Sequence, residues 1–211
     1  MDIEQEQIWN QNLNIMLDRL ENEVKNPAGG LALHLGCGPQ ILPGFLNIDK
    51  YFEHSKVINW DMYKLPLEDG TVSTIYSSHS LEHLPFHRAK LALAEWARVL
   101  KPGGKLFLAV PDLEVICQKM IDPDIPLATR HSWFIYTLFG YQIDPNKHSQ
   151  PHTFNLSEVE DLPLDEGQFH RCGFTTETLR MFLSQLNFEI TEMFQYNGWD
   201  TPSIWCSASK T

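Results

Sequence analysis

Paired cysteines, basic runs and long apolar stretches are all missing from this chain. The four cysteines among 211 residues, Cys37, Cys117, Cys172 and Cys206, stand far apart with no C-x-x-C pair. That argues against a disulfide or zinc-cysteine framework and fits buried free thiols in a reducing compartment. Lysine and arginine number 16 against 27 acidic residues, a formal net charge of −11. A phosphate backbone is held by clustered cations that release counterions, so no nucleic-acid partner is expected. No apolar run approaches membrane-spanning length. Asp2, Glu4 and Glu6, set among glutamines, replace the positive and apolar regions of a signal peptide, so the expectation is a cytoplasmic protein with no membrane partner. Internal repeats and low-complexity tracts are also absent. What is present is 43% hydrophobic content, enough for one full core, so residues 1–211 read as a single domain with an insertion.

Trp9, Leu13, Met16, Leu17, Leu20 and Val24 recur at helical spacing, and Asn26-Pro27 with Gly29-Gly30 ends the run, which predicts an amphipathic helix within residues 1–28. Residues 31–35 form a short apolar run ending in Gly36-Cys37-Gly38, the pattern of a buried parallel strand opening into a tight turn. Further strands are predicted over residues 45–49, 56–61 and 72–77. Phe86, Ala89, Leu93, Trp96, Ala97 and Leu100 mark one face of a helix between Pro85 and Leu100. Lys101-Pro102-Gly103-Gly104 then supplies turn chemistry before a strand over 105–110. Beyond Asp112 the pattern loosens, and residues 112–172 are expected to form an inserted lid over the acceptor. Thr175 is placed to cap a helix carrying Leu179, Phe182, Leu183 and Leu186 on one face, and residues 188–194 and 203–209 read as final strands. Strand and helix alternate, so a doubly wound α/β sheet of about seven strands, mostly parallel with the last reversed, is predicted.

A strand followed by G-x-G serves both dinucleotide and S-adenosylmethionine sites, because glycine lets the backbone approach a ligand at the carboxyl edge of the sheet. The dinucleotide fingerprint needs a third glycine, a long helix aimed at the pyrophosphate and an acidic residue about 20 positions on. Here the third position is Ile41, prolines at 39 and 43 oppose a long helix, and Asp49 comes only eleven residues after Gly38. A cofactor without phosphate needs only backbone space and a carboxylate for its ribose hydroxyls. Asp49 at the end of the second strand offers that carboxylate; a turn or capping aspartate is the plainer alternative.

The series L-H-L-G-C-G-P at 33–39, P-G-F-L-N-I-D at 43–49, Asp61, L-P-L-E-D-G-T-V-S-T-I-Y-S-S-H-S-L-E-H-L at 65–84 and R-V-L-K-P-G-G-K-L at 98–106 closely resembles class I S-adenosylmethionine-dependent methyltransferases. G-F-T-T-E-T-L-R-M-F-L-S-Q-L-N-F-E at 173–189 continues the match. The chain is most similar to small bacterial methyltransferases of the domain 11 type, in which the first helix is nearly deleted. The resemblance implies a Rossmann-like fold, S-adenosylmethionine as cofactor and methyl transfer to an acceptor. It also implies that Leu35, Gly36, Cys37 and Gly38 line the methionyl part and that Asp49, followed by Lys50, binds the ribose. Asp61 with Met62 would contact the adenine, and Ser78 with His79 would face the methionine.

Methyl transfer from a sulfonium asks mostly for alignment and a dry pocket. A hydroxyl or ammonium acceptor also needs a base, and histidine has the suitable ordinary pKa of about 6.5. His79 borders the cofactor, while His148, His152 and His170 come from the lid; His79 and His170 are the catalytic candidates. Trp133, Phe134, Tyr136, Tyr141 and Phe154 could wall a pocket for a small O- or N-acceptor, though such aromatics also serve as core or as a homodimer contact. Two rivals remain open: a cofactor-binding protein without turnover, and a zinc hydrolase. The latter rests on His79-Ser80-Leu81-Glu82-His83, which matches the H-x-x-E-H pattern of inverted zinc peptidases. That pattern requires a helix, whereas His79 directly follows a predicted strand, so Glu82 and His83 read instead as a helix-start carboxylate and a packing histidine. No metal ligand is assigned.

Overall fold

The computed structural model describes residues 3–25, 30–140, 166–196 and 201–211. Helix α1 (Ile3–Lys25) precedes strand β1 (Leu31–Leu35), and short strands β2 (Leu46–Ile48) and β3 (Val57–Ile58) follow. Strand β4 (Val72–Ser78), a single 3-10 turn at Leu81–His83, helix α2 (Phe86–Val99) and strand β5 (Leu100–Pro111) make up the middle of the chain. Then come α3 (Leu113–Ile121), α4 (Leu127–Phe139), α5 (Thr176–Gln185), β6 (Phe188–Tyr196) and β7 (Ser203–Lys210). The seven strands lie in the order β3-β2-β1-β4-β5-β7-β6. β1 to β5 pair in parallel, while β7 runs antiparallel to both its neighbours. This is the predicted doubly wound sheet with a reversed last strand.

Alternation along the strands sorts the core into two layers, because successive side chains leave a sheet on opposite faces. Leu33, Leu35, Ile75, Leu106, Leu108, Val110, Ile204, Cys206 and Ala208 face one way and pack with Leu93 and Trp96 of α2 and Leu179 and Leu183 of α5. Tyr76 and Phe107 face the other way against Met16 and Leu20 of α1, with Leu42, Phe45, Phe194 and Trp205 around them. His34 belongs to that second face, stacked on Tyr76 at 5.0 Å between ring centroids.

Several boundaries differ from the sequence-based expectation, each for a local reason. β2 is shorter than residues 45–49 because Asn47 Nδ2 claims the Phe45 carbonyl and Asp49 turns its carboxylate to the amides of Tyr51 and Phe52. β3 shrinks to two residues where Trp60 N donates back to Ile58 O and the chain turns away. β5 starts before the Lys101–Gly104 turn rather than after it. Leu100 already pairs with Val72, and the ladder then jumps to Lys105 opposite Thr74. α5 is capped as expected, Thr175 accepting from Thr178 N and the Thr178 hydroxyl accepting from Thr175 N. The region expected as a loosely patterned lid begins with two helices. Asp112 caps α3 by accepting from the amides of Glu114 and Val115, and α4 contains the aromatic-rich stretch. Residues 141–165, with Tyr141, His148, His152 and Phe154, lie outside the described residues.

Candidate functional site

β1 delivers its last residue to a loop held from three sides. Gly36 N and Cys37 N both donate to Ile48 O, at 2.8 and 3.1 Å. Gly38 N donates to Asp49 Oδ2 at 2.8 Å, while Asp49 Oδ1 accepts from Tyr51 N and Phe52 N at 2.8 Å each. The Ser80 hydroxyl donates to Leu35 O and lies 2.6 Å from the Ser77 hydroxyl, tying the ends of β1 and β4 together. Gly36 sits at φ +65, where a Cβ would stand 2.2 Å from Ser80 Cβ, so only glycine fits. Gly38, at φ +47, has nothing among the described residues within 4 Å of the corresponding position. The backbone there opens onto space instead of packing.

The interval between β1 and β2 holds no helix. Asn47 does the positioning instead, accepting from Leu42 N at 3.0 Å and donating to the carbonyls of Leu42 and Phe45. This matches the near-deleted first helix that the resemblance implied. Three amides hold the Asp49 carboxylate as a turn cap, and Oδ2, with a single partner among the described residues, keeps acceptor capacity on the loop side. Lys50 Nζ lies 3.4 Å from Asp61 Oδ2. Met62 Cε lies 3.2 Å from the Cβ position of Gly36, and the Met62 carbonyl accepts from Trp96 Nε1 at 2.9 Å. Leu35 to Gly38, Asp49, Lys50, Asp61, Met62, Ser78 and His79 thus gather at the carboxyl ends of β1, β2, β3 and β4, the edge where an open parallel sheet binds ligands. Cys37 is no nucleophile, since burial and the Asp49 charge push its thiol up to about 11.

A second cluster stands at the end of β4. His79 holds a left-handed backbone, φ +49, and its amide extends the sheet by donating to Ala109 O. The H-x-x-E-H segment is therefore one 3-10 turn entered through a left-handed residue, not the helix a zinc peptidase requires. Glu82 stands in the first turn of that 3-10 helix, as read, but its side chain is 1% exposed and, among the described residues, neither carboxylate oxygen has a hydrogen-bond partner. His79 Nδ1 lies 3.5 Å and His170 Nε2 3.9 Å from Glu82 Oε1. His83 packs its ring edge-on against His170, with 4.9 Å between centroids. The distant segment is carried here by backbone bonds. Arg171 N and Cys172 N both donate to Glu82 O, and His170 N donates to Phe139 O. Burial disfavours ionisation of Glu82, but His79, His83 and His170 together outweigh it and leave the carboxyl below its ordinary value. Burial also holds His170 below its ordinary value, against the pull of Glu82.

Both catalytic candidates therefore face the same carboxylate. His79 is the more open of the two, its side chain 37% exposed against 14% for His170, and its Nε2 lies 3.1 Å from the Ser203 hydroxyl. The H-x-x-E-H string and His170 each stood out in the sequence, but nothing in their spacing joined them. Ser203 and Thr137, whose carbonyl holds His170 Nδ1, carried no signal at all.

Residues 37–108 match the model of a methyltransferase domain. That stretch is similar to a methyltransferase domain, and the fold is similar to that of solved S-adenosylmethionine-dependent methyltransferases. An uncharacterized 37.1 kDa protein in transposon TN4556 of Streptomyces fradiae is 32% identical over 143 residues, 56% of this chain and 40% of that protein. The alignment thus spans less than half of that relative's length. Among solved structures, an S-adenosylmethionine-dependent methyltransferase from Methanosarcina mazei superposes with a TM-score of 0.57 at 16% identity, covering 86% of this chain and 92% of that one. The 1,6-didemethyltoxoflavin-N1-methyltransferase of Burkholderia thailandensis, solved with 1,6-didemethyltoxoflavin and S-adenosylhomocysteine, superposes at 0.54 and 12% identity over 90% of this chain and 74% of that one. At these identities the solved structures speak for the fold.

Proposed function

We propose that this chain transfers a methyl group from S-adenosylmethionine to an oxygen or nitrogen of a small molecule. One observation carries the reading: the loop at Gly36 to Gly38, braced by Asp49 and Ser80, opens at Gly38 onto free space at the carboxyl edge of the sheet. The loop offers no long helix N-terminus for a pyrophosphate, so a sulfonium cofactor without phosphate suits it better than a dinucleotide. Leu35 to Gly38 take the methionyl part, Asp49 with Lys50 the ribose, and Asp61 with Met62 the adenine. Ser78 and His79 face the methionine. In the reaction the sulfonium activates its own methyl group, and the protein aligns the acceptor and excludes water. His79 is the base for a protic acceptor. Glu82 Oε1, 3.5 Å from Nδ1, holds the ring in place, as a carboxylate does in other base dyads.

Calorimetry tests the cofactor assignment directly. The chain is expected to bind S-adenosylhomocysteine at micromolar concentration and NAD not at all, and Asp49→Ala to weaken that binding at least about tenfold, the loss of a charge-assisted pair of hydrogen bonds. NAD binding in its place, or an unchanged affinity in the variant, would remove the assignment. Release of S-adenosylhomocysteine across a panel of small hydroxyl and amine acceptors separates turnover from cofactor binding alone.

A further inference from the structure

Methyl transfer accounts for the contact of Glu82 with His79, but not for His83 and His170 beside it. A carboxylate with both oxygens buried and no hydrogen-bond partner is costly, and native structures keep one only where something else satisfies it. The two histidines beside it are set in a particular way. His83 Nδ1 lies 3.2 Å from the carbonyl of Phe169, and His170 Nδ1 lies 3.0 Å from the carbonyl of Thr137. A carbonyl only accepts, so each Nδ1 carries the hydrogen, and in the neutral ring each Nε2 is left with a bare lone pair. His170 aims that lone pair at Glu82 Oε1. The lone pair of His170 and the Glu82 carboxylate therefore meet beside the His83 ring, and a cation shared among the three would satisfy them.

We propose that Glu82, His83 and His170 form a binding site for a divalent transition-metal ion of the zinc type. One ligand atom from each residue already lies within 4.8 Å of the others. In a tetrahedral zinc site the ligand atoms stand roughly 3.3 Å apart, a closure that small side-chain rotations supply. The backbone carbonyls on the two Nδ1 atoms are the outer partners that metal-bound histidines normally have, fixing ring orientation and raising basicity. Two imidazoles with one carboxylate favour zinc, iron(II) or cobalt(II) over magnesium or calcium, which seek oxygen ligands. Three protein ligands leave a fourth position for water or for a donor atom of a small molecule. Nor is this the helical pair that the sequence motif suggests. His79 stands outside the trio, and the third ligand comes from a segment 87 residues further along than His83, brought in by the bonds of Arg171 N and Cys172 N to Glu82 O.

The site is tested on the full chain stripped with a chelator and titrated with zinc chloride in a calorimeter. One ion per chain is expected, with His83→Ala, His170→Ala and Glu82→Gln each weakening binding at least about a hundredfold. To separate loss of a ligand from loss of the fold, the wild-type chain loaded with cobalt(II) supplies a second reading. Its proton NMR spectrum should show two exchangeable, strongly shifted imidazole N–H signals, one for each Nδ1. No zinc uptake by the folded wild-type chain, equal affinity in folded variants, or fewer than two such signals would overturn the site. The result is independent of the cofactor assignment, since S-adenosylhomocysteine binding is measured separately on the same stripped protein.

Discussion

His34 sits between the ring of Tyr76 and the amide of Asn47, with its Nδ1 3.2 Å from Asn47 Oδ1 and its surface 2% exposed. Burial holds its pKa below the ordinary value, against the smaller pulls of Asn47 and Asp49. The sign of the consequence follows. The unfolded chain takes up a proton at this residue as pH falls through about 6.5, while the folded chain does not until lower pH, so stability is full above that point and falls beneath it. His34→Phe removes the titration. The difference in urea midpoint between wild type and variant should shift against the wild type as pH drops from about 7 toward 5, and a difference that stays level across that range would contradict the assignment. His34 was readable in the sequence only as a polar residue inside an apolar run. Asp49 was readable as a carboxylate at a strand end, but its turn-capping bonds to the amides of Gly38, Tyr51 and Phe52 were not, because they depend on how the loop folds around it.

The connection from β1 to β2 is the element on which cofactor binding depends, and its two glycines should respond differently to substitution. Gly36→Ala puts a methyl group 2.2 Å from Ser80 Cβ at a left-handed backbone position. It should cost roughly 2–4 kcal/mol of stability, from strain together with displacement of the Ser77–Ser80–Leu35 contacts. Gly38→Ala carries only the backbone cost, about 1 kcal/mol, since nothing lies within 4 Å of the new methyl group. In calorimetry it should nevertheless weaken S-adenosylhomocysteine binding at least about tenfold, because the methyl group enters the space where the ligand runs. Thermal melts and binding isotherms on both variants check the contrast; a Gly38→Ala chain that binds normally would mean the cofactor does not pass there. Strands β1 and β4 and helices α2 and α5 were legible because their periodicity and caps are local. The start of β5 was not, since Leu100 pairs with Val72 across the Lys101–Gly104 turn and no local pattern announces a ladder that skips. Helix α3 was hidden by its brevity and by the Asp-Pro and Ile-Pro steps that follow it.

At the scale of the whole molecule, the order of motifs sufficed to predict the sheet, whereas the meeting of Glu82 and His83 with His170 could not be read, because it depends on how the end of α4 and residues 166–172 pack against the end of β4. The two-layer core shows the same division. Alternation predicts that each strand has a second face, but not what covers it. α1 covers part of that face, with Leu13, Met16 and Leu20 buried and Met16 and Leu20 packed with Tyr76 and Phe107, while Tyr196 donates to Asn10 and Arg19 pairs with Glu192 on β6. The ion pair is exposed and contributes little; the three apolar side chains contribute most. Each is worth about 1.5–3 kcal/mol when buried, discounted for surface the unfolded chain already hides. Removing residues 1–25 should therefore lower unfolding free energy by roughly 3–6 kcal/mol and open an apolar patch around Tyr76 and Phe107. Urea titration should record the loss, and a dye that fluoresces on apolar surface should bind the shortened chain and not the full one. The Gly36–Asp49 loop lies at the strand ends and is braced by its own bonds, so a shortened chain that still folds should keep its affinity for S-adenosylhomocysteine. Lost affinity in such a folded chain would show that α1 belongs to the cofactor site and not only to the core.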